Sequence, residues 1–499
     1  MKIKMFIIGI GIAFSLNANS ANQSIQKIFE KNLVEIHYTT LKYSSVYPWI
    51  SQYESEYQQF GVFIDSDFVL TQCDELPDAI TIFVKAFENH RTKAKIHLMD
   101  IEVNLCILKL EKQIINSSKI FWEDLPLGKD PHLKQKIEIG YYDEYGNFET
   151  KDFIVSEYSI TSDFGLTKLP VFSFTVSKNL KTWLPIFSKN ELVGFVSYIS
   201  ENKVIAIPIS RVQFFVESFL KKNYEGFIVP GLQWEELNYD SEDPVIQYYN
   251  LKQNGCLIRS VSPHTSFYNF LKKGDIVLSI DRVKPIKNCR YKDSKLGIQK
   301  FELLLVRSPN GSYRRKNENL DIEILRGDQL LNLSIPLFTT IGDINRFERI
   351  PWKSYGRKSY LVYFGVVFVE MDRSFLVERL GKEWRRKAIE LTYLYDTKKN
   401  YESPEENDRI ILVSDILPDP INIGFRDVIL KPITKVNQKH ILNLKEMISI
   451  LEHSREVKRN FIEIEISDGK KIFFDLSKED EHRKILKKFN ITEEYYIKF

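Results

Sequence analysis

From Leu33 to about Ile199 the chain alternates apolar and polar residues in short runs: LVEIHYTT, FGVFIDSDFVLTQ, ITIFVKAF, VNLCILKLE, KIEIGYY, FSFTVS and LVGFVSYIS. A period of two sends successive side chains to opposite faces of a strand, so each run buries one face. Many such runs at close spacing predict a β-barrel or sandwich. RVQFFVESFLKK then predicts a helix leaving this unit. Two further blocks follow. In the first, FIVPGLQWEEL, GCLIRSVS, GDIVLSIDRV, LDIEILRG and LLNLSIPL read as strands, with a helix over GIQKFELLLVRS. In the second, YLVYFGVVFVE, IILVSDI and RDVILKPITKV read as strands and NLKEMISILEH as a helix. GDIVLSIDRV and RDVILKPITKV read as internal repeats of one strand-turn unit. The stretch from Asp396 to Arg409 is polar and predicts an exposed loop.

Length and composition change this picture little. At 499 residues the chain exceeds one core and suggests about three domains. With 43% hydrophobic and 27% charged residues it is ordinary globular material. The formal charge is +3, and both signs are interspersed without a basic stripe, which argues against nucleic acid. The N-terminus matters more. Lys2 and Lys4 precede an apolar run from Met5 to Leu16 and then Ala18-Asn19-Ser20, the layout of a secretory signal over residues 1–20. That run is short against the ~20 residues that span a bilayer. No later segment is apolar enough to span, so the expectation is an exported, periplasmic protein without a membrane span. Cys73, Cys106, Cys256 and Cys289 show no CxxC spacing, which argues against metal or thioredoxin-type chemistry. Export permits disulfides, but the spacing pairs none of them, and buried free thiols are the expected state. No cofactor or metal site is expected.

Three stretches carry candidate chemistry, in order: GVFIDSDFVLTQCDEL, MDIEVNLCILKLE and KNLKTWLPIFSKNELVGF. With YPWISQYESEYQQFGVF before them and VIAIPISRVQFFVESF after, they resemble the trypsin-like domain of the HtrA/Deg family of quality-control proteases. The resemblance implies a chymotrypsin-type double β-barrel over residues 21–222. It places Asp74 where the family has the general-base histidine, Asn104 at the orienting aspartate, and Thr182 at the nucleophilic serine. An ionised aspartate of pKa ~4 is far too weak a base to activate a hydroxyl. Leu180 takes a glycine position of the oxyanion hole, and Trp183 and Leu184 take two more glycines, expected to fill the space of a substrate carbonyl. A Thr182 dyad with Lys181 or Lys178 lacks oxyanion donors. His37, His90, His97, His132, His264, His440, His453 and His482 all stand outside the motif positions.

The second half resembles the PDZ domains of the same family, the two-PDZ branch: residues 223–345 form the first and 350–480 the second, with a tail at 481–499. The overall expectation is mainly β, a trypsin-like double β-barrel followed by two α+β PDZ domains. In the first, a peptide would add as a strand beside GLQW, its carboxylate held in the loop of Val229, Pro230, Gly231 and Leu232. Phe301 and Leu305, one helical turn apart, would line its pocket or stand in the core. In the second, Tyr363, Phe364 and Gly365 take the loop place and Met447 and Leu451 the helix, for a peptide or for assembly. The family also implies trimer-based assembly through aromatics near the barrel's start, with Tyr43, Tyr47, Trp49 and Tyr53 as candidates that equally suit core packing. The expected function is a catalytically inactive binder of peptide segments or C-termini of exported proteins. An active serine endopeptidase and a regulatory subunit of an active paralogue are the alternatives.

Overall fold

The computed structural model describes residues 23–86, 90–114, 122–142, 147–161, 168–176, 180–239, 244–340, 343, 349–351, 355–398 and 405–498. The predicted signal at 1–20 and Lys178 lie outside them. The fold is mainly β.

The first six strands are β1 (Leu33–Tyr43), β2 (Ser51–Phe63), β3 (Phe68–Thr71), β4 (Ala79–Ala86), β5 (Arg91–Asp100) and β6 (Leu105–Leu110). They close into a barrel in the order β1-β2-β3-β6-β5-β4. The alternation fills it: Val34, Ile36 and Tyr38 on β1 are buried with Val69, Val84 and Leu108 from facing strands.

The next seven are β7 (Lys136–Tyr142), β8 (Phe148–Ile154), β9 (Glu157–Thr161), β10 (Leu169–Thr175), β11 (Pro185–Ser188), β12 (Glu191–Ser200) and β13 (Lys203–Pro208). They form one sheet in the order β8-β7-β11-β12-β13-β10-β9. Its two end strands are consecutive in the chain, broken only at Val155-Ser156. The Val155 N–H donates to Gln135 O at 3.0 Å, beside β7, whereas the Ser156 N–H donates to Ser173 O on β10 at 2.8 Å. One strand that changes partners at a bend curls the sheet into a second barrel. Phe153 on β8 accordingly meets Phe174 on β10 at 5.1 Å.

The helix Ile209–Leu220 leads to a five-stranded sheet, order β14-β15-β16-β19-β20, from β14 (Leu232–Leu237), β15 (Gly255–Val261), β16 (Ile276–Ile280), β19 (Asn319–Arg326) and β20 (Gln329–Pro336). A hairpin of β17 (Arg290–Asp293) and β18 (Gly297–Lys300) lies between. The helix expected over GIQKFELLLVRS does not form. Residues 297–300 pair as β18, and Phe301–Leu305 make a single 3-10 turn. Phe301, Leu303, Leu304, Leu305 and Val306 are all buried and only Glu302 is partly exposed, so the run carries no period that favours a helix over another buried turn. This unit shares one apolar core with the second barrel. Their interface also holds a buried ion triad. Arg307, 3% exposed, reaches Asp130 of the barrel at 3.5 Å and Asp293 at 3.4 Å, the carboxylates being 4% and 6% exposed.

The C-terminal unit holds two four-stranded sheets. The order β23-β22-β21-β28 uses β21 (Tyr360–Tyr363), β22 (Val366–Glu370), β23 (Ile411–Ile416) and β28 (Tyr495–Tyr496). The order β25-β24-β26-β27 uses β24 (Ile433–Val436), β25 (Lys439–His440), β26 (Phe461–Ile466) and β27 (Lys471–Asp475). Helix Leu444–Glu456 begins at Asn443, whose side chain accepts the Glu446 N–H at 3.0 Å, and it buries Met447 and Leu451. Helix Ile389–Lys398 takes the start of the stretch expected as a loop; residues 399–404 lie outside the described ones. Residues 481–499, expected as a tail, are integrated: β28 pairs with β21, and Ile485 and Ile491 are buried.

The loop between β1 and β2 docks on this unit. Ser44 Oγ and the Ser45 N–H both donate to Glu378 (2.9 and 2.8 Å), the Tyr47 hydroxyl donates to Asp415, and Trp49 packs on Tyr360 at 5.6 Å. Tyr47 and Trp49, candidates for trimer contacts, are therefore engaged within the chain, while Tyr53 is 56% exposed. Cys73–Cys106 and Cys256–Cys289 are disulfides, which corrects the expectation of free thiols. Ladder register, invisible in the spacing, brings the first pair together: Cys73 lies just past β3, whose Thr71 pairs with Cys106 on β6. The Cα separations of 5.1 and 5.7 Å suit the bridges.

Candidate functional site: an interbarrel cleft and a strand edge

The end of β3 and the 3-10 turn Ile101–Val103 bring Asp74 and Asn104 together. Asn104 stands at φ +56°, a left-handed conformation that asparagine tolerates well. Its Oδ1 accepts the N–H groups of Cys73 (2.9 Å) and Asp74 (3.1 Å), and its Nδ2 donates to Asp74 Oδ1 at 3.2 Å. The other Asp74 oxygen accepts from Gln72 Nε2. Behind this pair, Tyr38 donates to Gln59 at 3.3 Å, and Gln59 Nε2 donates to Thr71 Oγ1 at 2.9 Å and Gln72 O at 3.0 Å. Burial, then the nearby charges of Asp74 and Glu75, hold the Tyr38 phenol far above its usual range. Both Asp74 oxygens are thus engaged by amides, a poor arrangement for taking a proton.

Thr182 is half-buried and makes no hydrogen bond among the described residues, so neither Asp74 nor a histidine engages its hydroxyl. Lys181 is turned away from a dyad, its Nζ 5.4 Å from the centroid of Phe60. Trp183 holds φ +62°, a backbone state that glycine adopts freely and a bulky residue rarely does. Its N–H donates to Val196 O at 2.6 Å, and its ring stacks on Phe195 at 4.6 Å, wholly buried. The expectation that Trp183 fills the substrate space is therefore corrected: the ring completes the barrel core. Leu180, Lys181 and Leu184 instead line a cavity between the barrels. Among the described residues no histidine engages Asp74, Asn104 or Thr182: His37 meets Glu35 of the cavity wall at 3.3 Å, His97 lies between Phe68 and Phe219, and His482 in the C-terminal unit.

In the middle unit β14 is an edge strand, paired only with β15 among the described residues. The loop before it is fixed: the Val229 N–H donates to Thr339 O at 3.1 Å, and Gly231 O accepts the Ser262 N–H at 2.8 Å. Gly231 has φ +58°, and a Cβ there would stand 2.5 Å from Thr265 Cγ2. Leu232 is half-buried at the strand's start, after Pro230. Trp234 on β14 packs on Phe301 at 6.0 Å. Phe301 and Leu305 are 0% and 1% exposed, so they are core rather than an open pocket wall.

The C-terminal unit differs at the same place. Tyr363 and Val366 pair across a tight turn at Phe364 and Gly365, with φ +49° and +80°, the geometry of a two-residue hairpin. Its β22 is paired on both sides, by β21 and β23, so no edge is open there. His482 Nδ1 accepts the Phe364 N–H at 3.2 Å and its ring stacks on Phe364 at 5.1 Å. Asn422 Nδ2 donates to Phe364 O at 3.2 Å, and the Leu417 N–H donates to Gly365 O at 2.8 Å. The Phe364 N–H and the carbonyls of Phe364 and Gly365 are thus already used within the domain. Sequence reasoning found the loop but missed His482 and Asn422, each more than fifty positions away and without a local signal.

A PDZ-domain family model matches residues 350–496. Over 457 residues the chain is 24% identical to "Putative protease Do-like 13" of Arabidopsis thaliana, covering 89% of this chain and 84% of the relative. It is 22% identical over 424 residues to "Protease Do-like 4, mitochondrial" of the same plant, covering 82% and 74%. Among solved structures it is similar to "HtrA-type protease AlgW with decapeptide", at 14% identity and a TM-score of 0.45, over 64% of this chain and 98% of that one. Over most of its length the chain is thus similar to plant Do-like proteases, and residues 350–496 carry a PDZ domain. No helix among the described residues is long and apolar enough to cross a membrane.

Proposed function

We propose that this chain is a non-proteolytic HtrA/Deg-like protein of the cell envelope that binds peptide segments or C-termini of exported proteins, as chaperone, adaptor or scaffold. The observation that carries the reading is the Asp74–Asn104 pair, with amides on both Asp74 oxygens and, among the described residues, no partner for the Thr182 hydroxyl. Acyl transfer needs a base that draws the proton from the hydroxyl near neutral pH. Loss of base or nucleophile lowers turnover on the order of 10⁶, or about 8 kcal/mol in the barrier.

In this reading residues 21–222 keep the protease fold as a platform, and 223–345 form a first PDZ-type module with β14 as the receiving edge. The open edge of β14 supports strand addition there. The closed loop of the C-terminal PDZ domain supports a role for it in assembly rather than capture. Export to the periplasm follows from the N-terminal segment, and trimer-based self-assembly or co-assembly with an active paralogue from the resemblance.

Casein incubated with pure protein should stay intact; cleavage that Thr182→Ala abolishes would overturn the reading in favour of an endopeptidase. A C-terminal peptide library applied to the full chain should enrich sequences that compete for β14, and absence of any enrichment removes the binding role.

A further inference from the structure

Side chains along β14 alternate between two faces. Leu232 and Trp234 are half-buried against the core shared with the second barrel, while Leu237 is buried on the opposite face with Leu257 and Ile276. The bulge between β14 and β15 puts the extra residue, Arg259, on β15. β14 therefore keeps its period of two, and Glu236 shares the face of Leu232 and Trp234. Glu236 is exposed, and its carboxylate makes no ion pair or hydrogen bond among the described residues. Glu235, on the other face, is paired with Arg259.

Neither the ladder nor the following chain supplies Glu236 with a cation. Opposite it on β15 stands Cys256, buried in the second disulfide. From Asn238 to Leu251 the sequence holds no Lys, Arg or His, so residues 240–243, which lie outside the described ones, add only carboxylates. The end of the strand is fixed: the Asn288 N–H donates to Asn238 Oδ1 at 2.8 Å, and Asn238 Nδ2 donates to Asn288 Oδ1 at 3.0 Å. A strand added antiparallel to β14 sets each residue opposite one of β14 on the same face, Cβ atoms about 5 Å apart. With its terminal carboxylate at the Val229–Leu232 loop, its last residue faces Leu232, the third from the end Trp234, and the fifth from the end Glu236. That face offers two apolar positions and then an unpaired anion. We propose that β14 selects C-termini with Lys or Arg at the fifth residue from the end and apolar side chains at the third and last, Glu236 being the residue that sets the basic preference. The inference rests on β14 as the receiving edge and goes beyond it by naming the class of sequence received.

The test is fluorescence anisotropy of the full chain with two labelled decapeptides, one ending Lys-Ser-Phe-Ser-Val and one Glu-Ser-Phe-Ser-Val. The lysine peptide should bind about fivefold more tightly, with a gap that salt narrows. Glu236→Lys should reverse the order, and the uncharged Glu236→Gln should bring the two together; Glu236 is exposed, so both replacements suit the fold. Equal binding of the two peptides, or a preference that Glu236→Lys leaves in place, would overturn this assignment alone, provided Gly231→Val still weakens both. Binding of neither peptide, or binding that Gly231→Val leaves unchanged, would overturn β14 as the receiving edge and this assignment with it.

Discussion

Replacing Arg307 by methionine removes the only cation of the triad that joins the second barrel to the middle unit, and leaves two carboxylates facing each other in a dry interface. Breaking a buried ion pair from one side costs roughly 3–5 kcal/mol. The structure argues for the lower end. Asp130 keeps the Ser210 N–H at 2.9 Å and its hydroxyl at 2.6 Å, and Asp293 keeps the N–H groups of Lys295 and Leu296 at 2.8 and 2.9 Å. Methionine also retains much of the arginine stem's packing. A loss of about 3 kcal/mol corresponds to about a hundredfold rise in local opening. Native-state hydrogen exchange at the Ser210 and Leu296 amides reads that opening directly and avoids assuming one global transition in a multidomain chain. Adding Asp130→Asn and Asp293→Asn to Arg307→Met should recover most of the loss, because a neutral replacement of the whole triad leaves no uncompensated charge. Unchanged exchange in the single variant, or no recovery in the triple one, would refute the account.

Asp100 is buried, and that burial raises its carboxyl above the ordinary value despite the hydrogen bond donated by Tyr224. Folding therefore favours the protonated form, so this group's contribution is full below about pH 4 and is lost as pH rises through the folded value. Asp100→Asn should raise the melting temperature at pH 7, with a gain that shrinks towards pH 4; a gain independent of pH would contradict this. Each disulfide closes a loop between cysteines 33 positions apart, which restricts the unfolded chain by about 3–4 kcal/mol. Cys73→Ser with Cys106→Ser should therefore unfold at markedly lower denaturant, and unchanged stability would mean that the bridge is not formed. Gly231→Val demands a strained left-handed valine beside Thr265 and should weaken peptide capture at β14 more than tenfold, whereas equal capture would place the site elsewhere.

The order of units was legible because alternation is dense where both barrels are buried, as in LVEIHYTT and LVGFVSYIS. β8 was not, since FETKDFI buries only Phe153 and its remaining side chains face partly or fully outward. The stretch FELLLVR misled because the apolar run Leu303–Val306 carries no period, and only tertiary burial chose the 3-10 turn. At the candidate site, Asp74 and Asn104 were legible as positions, and the structure joins them. The direction of Trp183 was not, because a side chain's choice between cleft and core depends on Phe195 across the ladder. The disulfides were hidden for the same reason, since tertiary placement, for Cys73 and Cys106 the register of β3 on β6, joins residues that sequence spacing leaves unrelated.

The two loop-strand units reach opposite outcomes from similar sequence, and the difference traces to what stands beside the receiving strand. In the middle unit the chain ahead of β14 makes one isolated bridge, Ile228 with Thr340, and among the described residues no strand pairs with the outer edge of Leu232–Leu237. In the C-terminal unit the equivalent chain folds back as β21 and fills that edge, and β28 then pairs with β21. Proline decides part of this: Pro230 has no N–H to give a ladder, while YLVYFG supplies four hydrogen-bonding residues and a turn that accepts positive φ. An edge strand left open in a folded protein is a hazard unless something is meant to occupy it. In the proposed function β14 is accordingly the edge at which an incoming chain would add, while the C-terminal PDZ domain is held to the β1–β2 loop through Glu378 and Asp415.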